Sequence, residues 1–222
     1  MNDVQLAMHT SNVYNLVCWF VGAYTIGAYL TMFISGYTYA ILMASIVASL
    51  VFTFLFASAI TDSSKFNYGM LTAGSMGTMC GHIIQYANII DDTILPLSVT
   101  ITLGVFGTMT FITQFVTDSQ MLMLGGFLSS VLSGLIIFGF FSMFFTVPEI
   151  VHDIRLLVGF ITFCGYITYD TYKMREKFRQ GKIDYYEHAM SLFLDMVNIF
   201  VKVLSHLVKY KRRDESGNKK KK

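Results

Sequence analysis

Six polar side chains recur along segment 188–208 at steps of three or four residues. They are His188, Ser191, Asp195, Asn198, Lys202 and Ser205. This spacing places all six on one face of a helix. Inside a bilayer such a stripe must face protein or a water-filled cavity, because lipid cannot satisfy polar groups. We interpret the stripe as pore-facing; the alternative is an amphipathic helix lying flat on the bilayer surface.

Asp170 is the second ionisable group near an apolar segment, since it follows the apolar run 158–169. In the simpler interpretation it is an interfacial carboxylate that pairs with Lys173 or Arg175. In the other interpretation it meets Asp195, and two carboxylates a few ångströms apart share a proton because both cannot ionise easily. The deprotonated pair could bind Ca²⁺, which prefers carboxylate oxygens. Asp170 and Asp195 are therefore the candidate pH-sensing and ion-pathway residues, and the candidate ligands of a transiently bound Ca²⁺.

The other residues of chemical interest form no recognisable catalytic or cofactor motif. No two of the five histidines have the i, i+4 spacing of a helical zinc site. The sequence also lacks a phosphate-binding glycine loop and a nucleophile elbow. Cys18, Cys80 and Cys164 fall within apolar segments, so they predict no disulfide framework. We expect neither enzyme activity nor a cofactor, with Ca²⁺ as a permeant ion only.

Composition places these residues in a membrane protein. The 222 residues are 54% hydrophobic and 14% charged. Residues 1–148 contain a single basic residue, Lys65, and five acidic ones, Asp3, Asp62, Asp91, Asp92 and Asp118. Soluble domains carry about 25% charged residues over their surface. The composition therefore excludes soluble enzymes, nucleic-acid binders and secreted scaffolds, and it predicts an integral membrane protein.

Seven segments are long enough to cross a bilayer, which requires about 20 mostly apolar residues. None shows the strict alternation of a β-barrel strand, so we expect helices. The Gly77-x-x-x-Gly81 pair also fits close helix packing. We predict an all-α integral membrane protein with six transmembrane helices around a seventh, C-terminal helix that is central or re-entrant. The segments are 13–33, 39–60, 68–90, 95–115, 121–145, 148–169 and 188–208, followed by a basic cytosolic tail, 209–222.

Charge asymmetry bears on orientation, because basic residues in short loops mark the cytosolic side. Basic clusters lie at 173–182 and 209–222, on either side of the last segment. Six full spans with a re-entrant or shallow seventh helix would leave both clusters and Lys65 cytosolic, with Asp91, Asp92 and Glu149 on the other side. Seven full spans are the alternative, since a buried central helix need not obey a rule derived from lipid-exposed helices.

The C-terminal stretch YDTYKMREKFRQGKIDYYEHAMSLFLDMVNIF resembles the signature of the Bax inhibitor-1 family. The shared features are an Asp-Thr pair, a charged loop, a Tyr-rich approach and a Leu-Phe-Leu-Asp helix. Further matches are Thr93-Ile94-Leu95-Pro96 and Leu124-Gly125-Gly126. The resemblance covers essentially the whole chain and is greatest to the endoplasmic-reticulum branch of the family.

This resemblance implies a helical bundle around a central last helix, acting as a pH-sensitive Ca²⁺ leak pathway and as a suppressor of cell death. By motif match, Asp170 and Asp195 take the place of the family's sensing carboxylate pair. The chain departs from the family pattern in two places. Segment 39–60 lacks the arginine with which some bacterial relatives latch the pair, and Ser191 stands where animal relatives have a further acidic residue.

The leading hypothesis is a Ca²⁺ leak channel gated by proton sharing between the two aspartates. A non-transporting adaptor is the alternative, acting through its basic tail on Bcl-type apoptosis regulators, Ca²⁺ channels or other endoplasmic-reticulum membrane proteins. A proton-coupled Ca²⁺ exchanger is a third. Expected partners also include the lipid bilayer and Ca²⁺, without nucleic acid. Lys219-Lys220 resembles a dilysine retrieval signal, which predicts a multi-pass protein of the endoplasmic reticulum with a cytosolic C-terminus.

Overall fold

A computed structural model describes residues 3–33, 39–181 and 184–219. Within these ranges the chain forms seven α-helices and no strand, and a short 3₁₀ turn, Thr113–Phe115, follows the fourth. Apart from α3, the helices described are long and apolar enough to cross a membrane. The prediction of an all-α integral membrane protein is confirmed. The helices are α1 (Asp3–Phe33), α2 (Tyr39–Ser58), α3 (Asp62–Ile90), α4 (Ile94–Ile112), α5 (Asp118–Phe141), α6 (Glu149–Arg179) and α7 (Tyr185–Lys219).

The last two helices are longer than the segments predicted for them. Helix α6 continues ten residues beyond 169, so Asp170 lies inside a helix and not at its end. Gly181 follows it with a φ of 81°, a left-handed conformation that glycine adopts readily after a helix. Helix α7 continues through most of the predicted tail. The predicted break at 35–38, the loop residue Lys182 and residues 220–222 lie outside the described residues.

The chain forms two compact units, and α6 and α7 contribute to both. The first unit comprises Met1–Ile89 and Arg175–Phe193. In it, α1 and α3 touch backbone to backbone: a Cβ on Gly77 would lie 2.0 Å from the carbonyl oxygen of Tyr24. A Cβ on Gly81 would overlap the side chain of Thr31, at 2.0 Å from its Oγ1. The close packing expected of the Gly77-x-x-x-Gly81 pair is present, and glycine is required because any side chain would separate the helices.

The second unit comprises Ile90–Met174 and Leu194–Lys222. Its buried core includes Cys164 and Ile167 of α6 with Ile199 and Val203 of α7, and side chains of α4 pack against them. Helices α6 and α7 run antiparallel here. This is shown by contacts at three levels, which pair Asp170 with Asp195, Gly159 with Lys202, and Asp153 with Lys209.

The end of α7 differs from the arrangement that we expected from the charge count. Lys211 forms an ion pair of 2.5 Å with Asp91, and Arg213 approaches Glu149 at 2.7 Å. The expectation that Asp91 and Glu149 lie opposite the start of the tail is therefore wrong. The rule that basic residues mark the cytosolic side does not take account of acidic partners. Here the basic residues of α7 are attracted to acidic residues at the ends of α3 and α6. Helix α7 runs antiparallel along α6 as far as these acidic residues, as a complete seventh span requires.

Candidate functional site

Asp195 is a buried carboxylate on α7, with 5% of its surface exposed. The carboxyl group of Asp170, on α6, lies within hydrogen-bonding reach of it, and the two groups interact electrostatically. Both residues belong to the second unit. Because α6 continues past residue 169, Asp170 lies on a regular helix that runs antiparallel to α7. This arrangement allows its carboxyl group to reach Asp195.

The surroundings of this pair are apolar. Ile167 and Met174 on α6 and Ile199 on α7 are completely buried close to it along their helices. Within the described part of the chain, Oδ2 of Asp195 receives no hydrogen bond, and neither does the buried hydroxyl of Thr171. Two ionised carboxylates in such a place would repel each other and lack solvation. A proton held between them, or a cation bound to them, relieves both costs.

The pair alone supplies few oxygen ligands. In residues 3–33, 39–181 and 184–219, no cluster of three or more His, Cys, Asp or Glu side chains could hold a metal ion. A resident Ca²⁺ ion takes about six to eight oxygen ligands. Two carboxyl groups supply at most four oxygen atoms, which is fewer than a resident Ca²⁺ ion takes.

The other members of the polar stripe share a helix face but contact different neighbours. Asn198 donates a hydrogen bond of 2.8 Å to the carbonyl oxygen of Leu194 in its own helix. Ser191 is half-buried and belongs to the first unit. Lys202 lies across Gly159 and lines an apolar cavity of about 250 Å³, whose wall does not include the other stripe residues. The predicted pore lining thus stays a prediction for these residues.

His188 lies in the first unit, where it is buried against a second histidine. The ring centroids of His9 and His188 are 5.8 Å apart, and Phe178 stacks on His9 at 4.6 Å. Both histidines are at most 5% exposed. Sequence reasoning missed His9, because a lone histidine in an N-terminal segment has no spacing that indicates its partner.

Ion pairs connect the start of α7 to α3 and α6 in the first unit. Lys65 pairs with Asp184, and Lys177 approaches Glu187 at 2.5 Å. Partial burial acts to raise the pKa of Asp184. The hydrogen bond and the charge of Lys65, together with hydrogen bonds from the backbone of Glu187 and Tyr186, outweigh it, so this pKa lies below its usual value. The sequence shows these residues only as isolated charges, since 119 positions separate Lys65 from Asp184.

Comparison with known proteins gives one consistent family. A family model described as "Inhibitor of apoptosis-promoting Bax1" matches residues 6–213. The chain is 31% identical over 218 residues to Bax inhibitor 1 of Oryza sativa subsp. japonica, covering 96% of this chain and 85% of that protein.

Two further relatives align over shorter regions. Bax inhibitor 1 of Arabidopsis thaliana is 32% identical over 133 residues, which are 60% of this chain and 54% of that protein. Human Bax inhibitor 1 is 29% identical over 144 residues, 65% of this chain and 60% of that protein. The aligned regions thus span only about half to three fifths of these two relatives.

Proposed function

The chain belongs to the Bax inhibitor 1 family, and from this premise we propose that it is a pH-sensitive Ca²⁺ leak channel of intracellular membranes. Membership implies a role in suppressing programmed cell death. The observation that carries the proposal is the burial of Asp195 beside Asp170 in an apolar part of the second unit. We place the protein among membrane regulators and not among enzymes.

In the proposed mechanism, a shared proton determines whether the path is closed. With the proton between Asp170 and Asp195, the pair carries one negative charge and holds α6 against α7. Loss of the proton leaves two carboxylates that repel each other and attract a divalent cation. Ca²⁺ then replaces the proton at the pair, and the separation of the two helices opens the path.

Flux measurements on the reconstituted protein test this mechanism. Asp170→Asn and Asp195→Asn are compared with the parent in Ca²⁺-loaded liposomes between about pH 5 and pH 8, the range for carboxylates that share a proton. We expect the parent's flux to rise with pH and both variants to lose that dependence. Asp214→Asn is the matched control, because it removes an exposed carboxylate from the same helix. Unchanged pH dependence in both pair variants would contradict the mechanism.

The adaptor hypothesis differs from the channel hypothesis in requiring the C-terminal tail for protection from cell death. Lys209, Lys211 and Arg213 are engaged by acidic side chains of the second unit, which leaves less of the predicted tail available to a partner such as a Bcl-type regulator. A truncation after Arg213 preserves these ion pairs. We expect it to retain both Ca²⁺ flux and protection from cell death; loss of protection with intact flux would favour the adaptor.

The exchanger hypothesis is distinguished by proton movement. A channel passes Ca²⁺ down its gradient without obligatory counter-movement of protons, whereas an exchanger takes up protons in a fixed ratio to the Ca²⁺ released. A pH-sensitive dye trapped in Ca²⁺-loaded liposomes, whose membrane potential is clamped with K⁺ and valinomycin, separates the two. We expect Ca²⁺ release without acidification of the liposome interior; acidification in step with Ca²⁺ release would favour the exchanger.

We propose the endoplasmic reticulum as the location, with the C-terminus in the cytosol. Single cysteines at Gln180 and Asp214, in a background without Cys18, Cys80 and Cys164, test how α7 crosses the membrane. A membrane-impermeant maleimide should label the Asp214 position from the cytosol. Because we propose a complete α7 span, we expect the Gln180 position to be labelled only after the membrane is permeabilised. Labelling of both from the cytosol would support a re-entrant helix.

A further inference from the structure

Arg155 and Lys202 are partly buried cations of the second unit that have no acidic partner among the described residues. Arg155 on α6 donates to the hydroxyl of Ser142 at a long 3.4 Å and lies 6.0 Å from the ring centre of Phe138. Its Nε is buried and finds no acceptor in the described part of the chain. Lys202 on α7 is half-buried, and the positive charge of Arg155 acts on it.

The neighbouring basic residues are compensated, which makes these two exceptional. Lys209 approaches Asp153 at 2.6 Å, and Arg213 approaches Glu149 and Asp153 at 2.7 and 2.8 Å. The carboxylates at this end of α6 are therefore already occupied. Arg155 lies one helical turn before Gly159, which Lys202 contacts, and two partly desolvated cations placed in this way would be stabilised by an anion.

An apolar cavity of about 250 Å³ adjoins Lys202. Ile101 of α4, Leu157 and Phe160 of α6 and Leu207 of α7 line it. Leu157 is 60% exposed, so the cavity opens on the outer, apolar surface of α6. The alkyl stem of Lys202 forms one wall, since its Cε lies 2.9 Å from where a Cβ of Gly159 would stand.

We propose that Arg155, Lys202 and this cavity form a binding site for an anionic phospholipid of the surrounding bilayer. The phosphate binds between the guanidinium and the ammonium group, and one acyl chain occupies the apolar cavity. Lys202 precedes Lys209 by seven residues, or about 10 Å of helix. Arginine and lysine side chains at this depth extend toward the headgroup level and draw a phosphate inward.

Charge complementarity and position favour a lipid over a soluble anion. The cavity beside Lys202 is mostly apolar and its wall includes the exposed Leu157, so it suits a ligand with an acyl chain. The titratable groups nearby are His206 in the cavity wall and His152 on α6, whose neighbourhood includes Arg155, Lys202, Lys209 and Asp153. Since Asp153 is paired with Lys209 and Arg213, it does not neutralise the site. This site goes beyond the proposed Ca²⁺ pathway and is independent of its test.

Lipid binding is measured on the full-length protein in mixed micelles, with fluorescent dioleoyl phosphatidic acid as the probe and anisotropy as the readout. We expect unlabelled phosphatidic acid to compete and phosphatidylcholine not to compete. Lys202→Gln and Arg155→Gln should each weaken phosphatidic acid binding at least tenfold. Lys173→Gln is the control, because that ammonium lies 5.8 Å from the ring of Tyr169 and far along α6 from Arg155. It should bind like the parent.

A second variant keeps both charges and fills the cavity. Leu157→Trp alters an exposed position, so the protein should still fold, and it should weaken phosphatidic acid binding by blocking the acyl chain. Equal binding by the parent, Lys202→Gln and Leu157→Trp would overturn the proposal. Competition by inorganic phosphate at the same concentration as the lipid would also overturn it, because the site would then recognise a free anion.

Discussion

The unit of Met1–Ile89 and Arg175–Phe193 and the unit of Ile90–Met174 and Leu194–Lys222 are packed in different ways. In the first, glycines bring the backbones of α1 and α3 into contact, and the buried ring of Phe193 packs on Phe20 with centroids 5.8 Å apart. In the second, the glycine contacts are made with side chains, as where a Cβ on Gly165 would meet Leu128. That unit also contains the buried Asp195 and the cavity at Lys202.

The difference indicates a division between scaffold and working part. Backbone contact leaves no room to adjust, so the first unit resists change. Side chains of α4 to α7 can take other rotamers, so the second unit allows small movements, and the proposed proton sharing, ion passage and lipid binding all lie in it. In the proposed mechanism, the buried carboxylate of Asp195 is tolerated because it shares a proton with the carboxyl group that α6 supplies.

The largest effect is expected at the backbone contact of the first unit. Gly77→Ala places a Cβ 2.0 Å from the carbonyl oxygen of Tyr24, and neither backbone can retreat without separating α1 from α3. We expect a loss of about 3 kcal/mol in the free energy of unfolding, the upper range for overpacking. Unfolding in mixed micelles by titration with SDS measures it. Gly104→Ala is the control, since a Cβ there meets nothing within 4 Å. An equal loss of stability in both variants would contradict the interpretation of the first unit as a rigid scaffold.

A smaller effect, taken over one pH unit, is expected at the buried carboxylate of the second unit. If the folded pair retains a proton that the unfolded chain releases, stability falls as pH rises, by at most about 1.4 kcal/mol for each pH unit. Asp195→Asn carries no such proton, so its unfolding temperature should change less between about pH 5 and pH 8. Thermal unfolding followed by circular dichroism measures the slope. Parallel slopes in the parent and the variant would show that the pair does not share a proton.

A still smaller effect is expected at a glycine of the second unit. A Cβ on Gly165 would lie 2.8 Å from Cδ2 of Leu128, the end of a flexible side chain that can change rotamer. Gly165→Ala should therefore cost about 1 kcal/mol or less. The same SDS titration compares it directly with Gly77→Ala. A loss as large as that of Gly77→Ala would mean that the two units are equally rigid.

The smallest effect is expected at the exposed end of α7. The hydrogen bond from Lys211, together with those from Thr93, holds the pKa of Asp91 well below its usual range. Because this pKa is depressed in the folded state, its contribution to stability is present above about pH 4 and is lost at more acidic pH. In Lys211→Ala the pKa of Asp91 should rise toward the ordinary value, measured by carboxyl ¹³C NMR in micelles.

A matched control for that measurement is Lys173→Ala, which removes an ammonium group that lies over Tyr169. It should leave the titration of Asp91 unchanged. The unfolding temperature of Lys211→Ala at neutral pH should shift only slightly, because exposed ion pairs contribute little. A large shift would indicate that this ion pair anchors the end of α7.

Hydropathy and charge were sufficient to predict the membrane class and the approximate helices. The break at 91–93 lies between α3 and α4 as expected, because its polar residues are unsuited to hydrocarbon. Helices α6 and α7 continue beyond the spans predicted for them. Residues 170–179 and 209–219 are rich in charged side chains. A hydropathy pattern cannot distinguish a helix that continues into water from a loop. The pairing of Lys211 with Asp91 was missed, since 120 residues separate them.

The periodicity of α7 alone determined that Asp195, Asn198 and Lys202 share a face, because helical spacing is a local property of the chain. Whether those residues meet one partner depends on which helices pack beside each of them, and only the tertiary structure decides that. It brings Asp170 to Asp195, lays Lys202 across Gly159 beside an apolar cavity, and leaves Asn198 bonded to its own helix. Contacts between distant segments arise from the packing of whole helices, which no short sequence pattern records.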